Sequence, residues 1–81
     1  MNITVKFFAS LREQIGTSQV QLETQDTLTV AQVWTQVCQD TPLPTHILMA
    51  INMQYVDPNT FVQDGDEVAF FPPVTGGSDE S

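Results

Sequence analysis

The chain has 81 residues, a size for one domain, with two Lys and Arg against ten Asp and Glu and a net charge of −8 at pH 7. That balance argues against DNA, RNA or an anionic membrane as partner, because the phosphate term needs clustered cations. A single cysteine excludes an intramolecular disulfide and a multi-cysteine zinc site, and 41% hydrophobic residues suffice for a small core in a reducing cytoplasm.

Asn2 to Ala9 alternates, with Ile3, Val5 and Phe7 on one face and Asn2, Thr4, Lys6 and Phe8 on the other. Leu11 to Ile15 suggests a short helical turn closed by Gly16. Gln19 to Glu23 alternates again, so the first two strands predict a hairpin. Thr29 with Gln32 fits a capping box, and Val30, Val33, Trp34, Val37 and Cys38 form one helical stripe, with Pro42 and Pro44 as its stop. Ile47 to Ile51 reads as a central strand and Tyr55-Val56 as a short edge strand. Asp57-Pro58-Asn59 and Asp64-Gly65-Asp66 read as turns, and Glu67 to Phe71 as the last strand. Pro72 and Pro73 end its pairing, since proline donates no ladder hydrogen bond.

The order β-β-α-β-(β)-β predicts an α+β domain over residues 1–73, a small mixed sheet crossed by one main helix. A long helix-bearing connection permits parallel pairing of the first and last strands, which makes a β-grasp, the ubiquitin-like arrangement. Residues 74–81 read as a flexible tail carrying Gly76-Gly77 and a four-residue extension, Ser78 to Ser81. The N-terminus lacks the apolar h-region of a signal peptide, and no apolar run reaches the roughly 18 residues of a membrane span.

Two features exceed what a plain domain needs. Alternation puts Phe8 and Phe71 on the helix-free face, where Tyr55 or Ala50 would extend them into a partner patch. Gly76 and Gly77 lack Cβ atoms and would let a tail thread a narrow channel into another protein. Cys38 lies on the apolar stripe and reads as a core hydrophobe. His46 has no partner ligand, and Asp64, Asp66 and Glu67 lack calcium-loop spacing, so no metal site is expected. No nucleophile triad, P-loop or dinucleotide fingerprint occurs, so the chain holds no self-contained catalytic centre.

The run Asp64-Gly65-Asp66-Glu67-Val68-Ala69-Phe70-Phe71-Pro72-Pro73-Val74-Thr75-Gly76-Gly77 closely resembles the C-terminal signature of the small subunit of molybdopterin synthase, the MoaD family. Val5 to Glu13 resembles that family's start, and Ala50-Ile51-Asn52 with Tyr55-Val56 its middle. The resemblance implies a ubiquitin-like sulfur carrier. Gly77 would be adenylated by an E1-like enzyme (MoeB type) at the expense of ATP, then converted to a thiocarboxylate by a desulfurase or rhodanese system. The arm, Pro72, Pro73, Val74 and Thr75 leading to Gly76 and Gly77, would enter the large synthase subunit (MoaE type). There the sulfur attacks cyclic pyranopterin monophosphate, and two carriers supply the dithiolene of molybdopterin within a heterotetramer. Phe8, Tyr55 and Phe71 match apolar contact positions of the family and Arg12 a basic one. The resemblance places the acids and bases of sulfur transfer in the large subunit and no bound cofactor in this chain.

One departure stands out. Ser78-Asp79-Glu80-Ser81 follows the double glycine, so Gly77 carries a peptide bond rather than a carboxylate. The extension could be trimmed, be a cloning remnant, or leave the carrier inactive; trimming is the favoured account. Rival readings are a thiamine-thiazole type carrier, which the Phe-Phe-Pro-Pro run disfavours, a ubiquitin-like protein modifier, and a plain binding module. The acidic balance predicts that the partners' docking faces, or the channel that admits the Gly77 carboxylate, are basic.

Overall fold

The computed structural model describes residues 1–73. Five strands, β1 (Asn2–Phe7), β2 (Gln19–Glu23), β3 (Leu48–Ile51), β4 (Gln54–Tyr55) and β5 (Glu67–Phe71), and two helices, α1 (Ser10–Ile15) and α2 (Val30–Val37), follow in the order β1-α1-β2-α2-β3-β4-β5. They make one mixed sheet in the order β2-β1-β5-β3-β4. β1 and β2 form the expected antiparallel hairpin. β1 and β5 run parallel, Val5 opposite Val68 and Phe7 opposite Phe70, which is the expected α+β β-grasp.

Each strand contributes alternate side chains to a core on one face of the sheet. Ile3, Val5 and Phe7 of β1 and Val68 and Phe70 of β5 are all buried there. α2 closes this face with Val30, Val33 and Trp34. The Trp34 ring meets Phe7 and Phe70 edge-on, at centroid distances of 5.8 and 4.9 Å. Its indole Nε1 donates to the Thr41 carbonyl at 2.8 Å, so the buried indole keeps a hydrogen-bond partner. The capping box is formed: Thr29 Oγ1 accepts from Gln32 N, and Gln32 Oε1 accepts from Thr29 N. After β4 the chain returns along α2, where Val62 N donates to the Leu28 carbonyl and Val30 N to that of Thr60.

Four sequence expectations need correction. α2 stops at Val37, before Pro42 and Pro44, because Cys38 leaves the helical region (φ −117°, ψ 63°) and Thr41 N turns back to its carbonyl. β3 is interior but not central; β5 holds the middle, since pairing with both β1 and β3 buries Val68, Ala69 and Phe70 together. The edge strand is Gln54–Tyr55, one residue earlier than expected, because the connection from β3 takes two residues. β1 ends at Phe7, and Ala9 turns to positive φ as the chain enters α1.

Candidate functional site

The face of the sheet opposite α2 divides into two halves. On the β2–β1 side it is polar: Gln21 Nε2 donates to Thr4 Oγ1 at 3.0 Å, and Lys6 Nζ pairs with Glu67 at 3.4 Å. On the β5–β3–β4 side it is apolar. Register explains why. Ala69 of β5 faces Ala50 of β3, which in turn faces Tyr55 of β4. Two methyl groups in adjacent strands leave a depression that larger side chains surround. The result is a hollow of about 250 Å³ with Ala50 and Ala69 in its lining.

Phe8 and Phe71 form one wall. Phe8 follows β1 directly, and its N–H still donates to the Phe70 carbonyl at 3.1 Å, which sets the ring beside the end of β5. The two rings stack with centroids 4.7 Å apart and planes 11° from parallel. Tyr55 meets Phe71 edge-on at 6.1 Å. Such geometry suits the negative face and positive edge of aromatic rings. Met53 completes the rim on the turn side, and Glu67 is the charged residue in the lining. Phe8, Met53 and Tyr55, three of the four exposed large apolar residues among those described, cluster here, while the fourth, Phe61, lies apart beside Thr29.

The structure thus brings together Phe8, Tyr55 and Phe71, three of the residues singled out from the sequence. Arg12 lies on α1, four residues past Phe8, and is exposed; its carbonyl accepts the Gly16 N–H that closes the helix. Pro72 and Pro73 follow Phe71 directly and end the strand. Val74, Thr75, Gly76 and Gly77 lie outside the described residues, as does the expected tail over 74–81. The point where the chain leaves the sheet towards Gly77 is therefore one residue from the aromatic stack.

Sequence reasoning missed Met53 and Ala69. Met53 sits in a two-residue turn without Gly, a weak hairpin signal. Ala69 gains meaning from its cross-strand partner, and register is not written locally.

Other candidates resolve into structural roles. Asp66 Oδ1 accepts from Asn52 Nδ2 and its Oδ2 from Gln63 N, while Asp64 Oδ1 accepts from Asn2 N. These carboxylates hold turns together. Burial pushes the Cys38 thiol pKa up, which disfavours the thiolate. Among the described residues no three His, Cys, Asp or Glu side chains cluster as metal ligands would, and no helix is long and apolar enough to cross a membrane.

Comparison with known proteins agrees with this geometry. The ThiS family model matches residues 5–77. The molybdopterin synthase sulfur carrier subunit of Haemophilus influenzae is 40% identical over 81 aligned residues, covering 93% of this chain and 99% of that protein. Its Escherichia coli counterpart is 37% identical over 84, with the same coverage. The crystal structure of Haloferax volcanii small archaeal modifier protein 1 superposes with a TM-score of 0.77 at 26% identity, covering 90% of this chain and 98% of that one. The family-model match over residues 5–77, with relatives 40% and 37% identical over nearly the whole chain, places the chain in the ThiS family, alongside the molybdopterin synthase sulfur carrier subunits (MoaD).

Proposed function

We propose that this chain is the sulfur carrier of a molybdopterin synthase, a non-catalytic donor subunit that docks on a large subunit (MoaE type) and delivers sulfur from Gly77. The observation that carries the reading is the apolar hollow at the point where the chain leaves β5 for the double glycine. A docking surface beside the root of the arm fixes the arm's origin, and delivery of its end becomes effectively intramolecular. The 40% identity to a sulfur carrier subunit supports the same reading.

Gly77 is joined to Ser78, so hydrolysis of that bond comes first: water adds, freeing the Gly77 carboxylate and the Ser78 amine. The carboxylate then attacks the α-phosphorus of ATP on an E1-like enzyme (MoeB type), and pyrophosphate leaves. A persulfide on a desulfurase or rhodanese relay attacks the acyl carbon and AMP leaves, giving an acyl disulfide. A second thiol then attacks the relay sulfur, breaking the S–S bond, forming a disulfide with the relay and leaving the thiocarboxylate. Adenylation is needed because a carboxylate is a poor electrophile and AMP is a good leaving group. In the large subunit the thiocarboxylate sulfur attacks a carbon of cyclic pyranopterin monophosphate. As the C–S bond forms, the C–O bond at that carbon breaks and its oxygen takes a proton from an acid of the large subunit. Hydrolysis of the acyl–sulfur bond leaves sulfur on the pterin and returns the Gly77 carboxylate. Two carriers in a heterotetramer would supply the two dithiolene sulfurs, in the cytoplasm. Phe8, Tyr55 and Phe71 dock the carrier, Arg12 pairs with an acidic group of the partner, and residues 72–75 thread the partner's entry channel.

Intact mass of the chain isolated from its own cells tests this directly. The expected product ends at Gly77, with a fraction heavier by the difference between sulfur and oxygen. A chain that keeps Ser78 to Ser81 and still supports molybdopterin synthesis would sink the scheme. The likeness to a small archaeal modifier protein favours a second reading, in which the Gly77 carboxylate is joined to lysines of other proteins. Lysine adducts ending in Gly-Gly, recovered after proteolysis, would support it over the first.

A further inference from the structure

The β3–β4 turn breaks a local rule. Ile51 pairs with Gln54, so Asn52 and Met53 form a two-residue loop with φ of 50° and 72°. Two successive positive φ values mark a turn whose second position favours Gly, because a Cβ there crowds the following carbonyl. Met53 occupies that position, with 88% of its surface exposed and at the rim of the hollow. A long thioether held in unfavourable backbone geometry and given to solvent gains nothing for the fold, and such departures concentrate at functional positions.

Asn52 fixes the turn in place. Its N–H donates to the Glu67 carbonyl at 2.8 Å, its Oδ1 accepts from Glu67 N at 3.0 Å, and its Nδ2 donates to Asp66 Oδ1 at 3.0 Å. The Asp66 carbonyl in turn accepts from Thr4 N at 3.1 Å, tying the head of β5 to β1. The turn is therefore tied to β5, which carries Phe71, and through it to β1, which leads into Phe8.

Resting on the docking role proposed above, we infer that Met53 is a contact and specificity-determining residue for the large subunit, and that Asn52 is its positioning residue. The partner inserts an apolar side chain into the hollow, with Met53 folding over it from the rim. Continuity with the Phe8–Phe71 stack and Tyr55 argues for this occupant, because one apolar surface runs through all four residues.

Titration of the purified large synthase subunit onto wild-type carrier, Met53→Gly, Asn52→Gly and the double variant tests the inference, with a thermal melt of each. Met53→Gly should bind about tenfold more weakly while its melting temperature is not lowered, since Gly relieves the backbone. Asn52→Gly keeps the positive φ and should also lose about tenfold, but the double variant should lose little more than either single one, because both act through the same contact. Asn52→Asp, which keeps the acceptor for Glu67 N and loses the donor to Asp66, serves if Asn52→Gly fails to fold and should behave likewise with Met53→Gly. Met53→Gly binding like wild type overturns the contact; losses that multiply in the double variant overturn the positioning role. If the wild type itself fails to bind, the docking role falls, and this inference with it.

Discussion

Phe7-Phe8 and Phe70-Phe71 are two pairs of adjacent aromatic residues, and the sheet sends one member of each pair to either face. On the covered face Phe7 and Phe70 lie 5.9 Å apart under Trp34, wholly buried. On the open face Phe8 and Phe71 stack at 4.7 Å beside a hollow. The residue type is the same and the two pairs are neighbours in the chain; what differs is whether a helix lies over them. Removing a ring from the first pair should cost the fold; removing one from the second should leave the fold and, on the docking role proposed above, weaken the partner's binding.

The largest effect expected from breaking this contrast is on the covered face. Trp34→Ala should destabilise the chain by about 3–5 kcal/mol, read by denaturant unfolding, since it opens a cavity against both rings. A loss under about 1 kcal/mol would mean that α2 is not the lid of the core. On the open face, Phe71→Asp should weaken binding of the large subunit by about 2 kcal/mol or more while changing stability by about 1 kcal/mol. Unchanged binding would remove Phe71 from the interface. Thr29→Ala should cost about 1 kcal/mol of stability through the lost cap and leave binding untouched. A binding defect would show that α2 reaches the partner after all.

The smallest effect concerns Cys38. Its thiol pKa is raised in the fold above an ordinary value of 9.0 by desolvation. A raised folded-state pKa gives stability that is fully present below the unfolded value and is lost as pH rises through the folded one. Stability should therefore decline slightly above pH 9, and a Cys38→Ala chain should lack that decline. Native Cys38 should also alkylate more slowly than the unfolded chain at pH 8 to 9.

Much of this was legible from residue order. Period-two alternation placed Ile3, Val5 and Phe7 opposite Phe8, and Val68 and Phe70 opposite Phe71, without any knowledge of pairing. The capping box at Thr29 and Gln32 is local chemistry and was readable as such. What stayed hidden depends on pairs distant in sequence. The hollow exists because Ala69 meets Ala50, and nothing near either alanine specifies the other. The central place of β5 follows from its pairing with the inner strand of each hairpin, β1 and β3, whereas Ile47 to Ile51 looked central because its run is more apolar. The helix end was set by the turn at Cys38 and Thr41, so the prolines marked a boundary already passed.

The parallel pair has a consequence for how the molecule is made. Thr4 pairs with Glu67, 63 positions later, and β5 is both the last strand in chain order among the described residues and the middle of the sheet. Until it emerges from the ribosome, the β1–β2 hairpin and the β3–β4 hairpin have no common edge, and the rings of Phe7 and Trp34 lack Phe70. Contacts of such separation are slow to form, because the loop must close before they can stabilise anything. A nascent chain stalled short of β5 should thus remain protease-sensitive throughout, and release of the last strand should convert it in one cooperative step. The segment that leads to the double glycine is also the one that completes the fold, so a chain truncated before it would lack both the core and Gly76-Gly77.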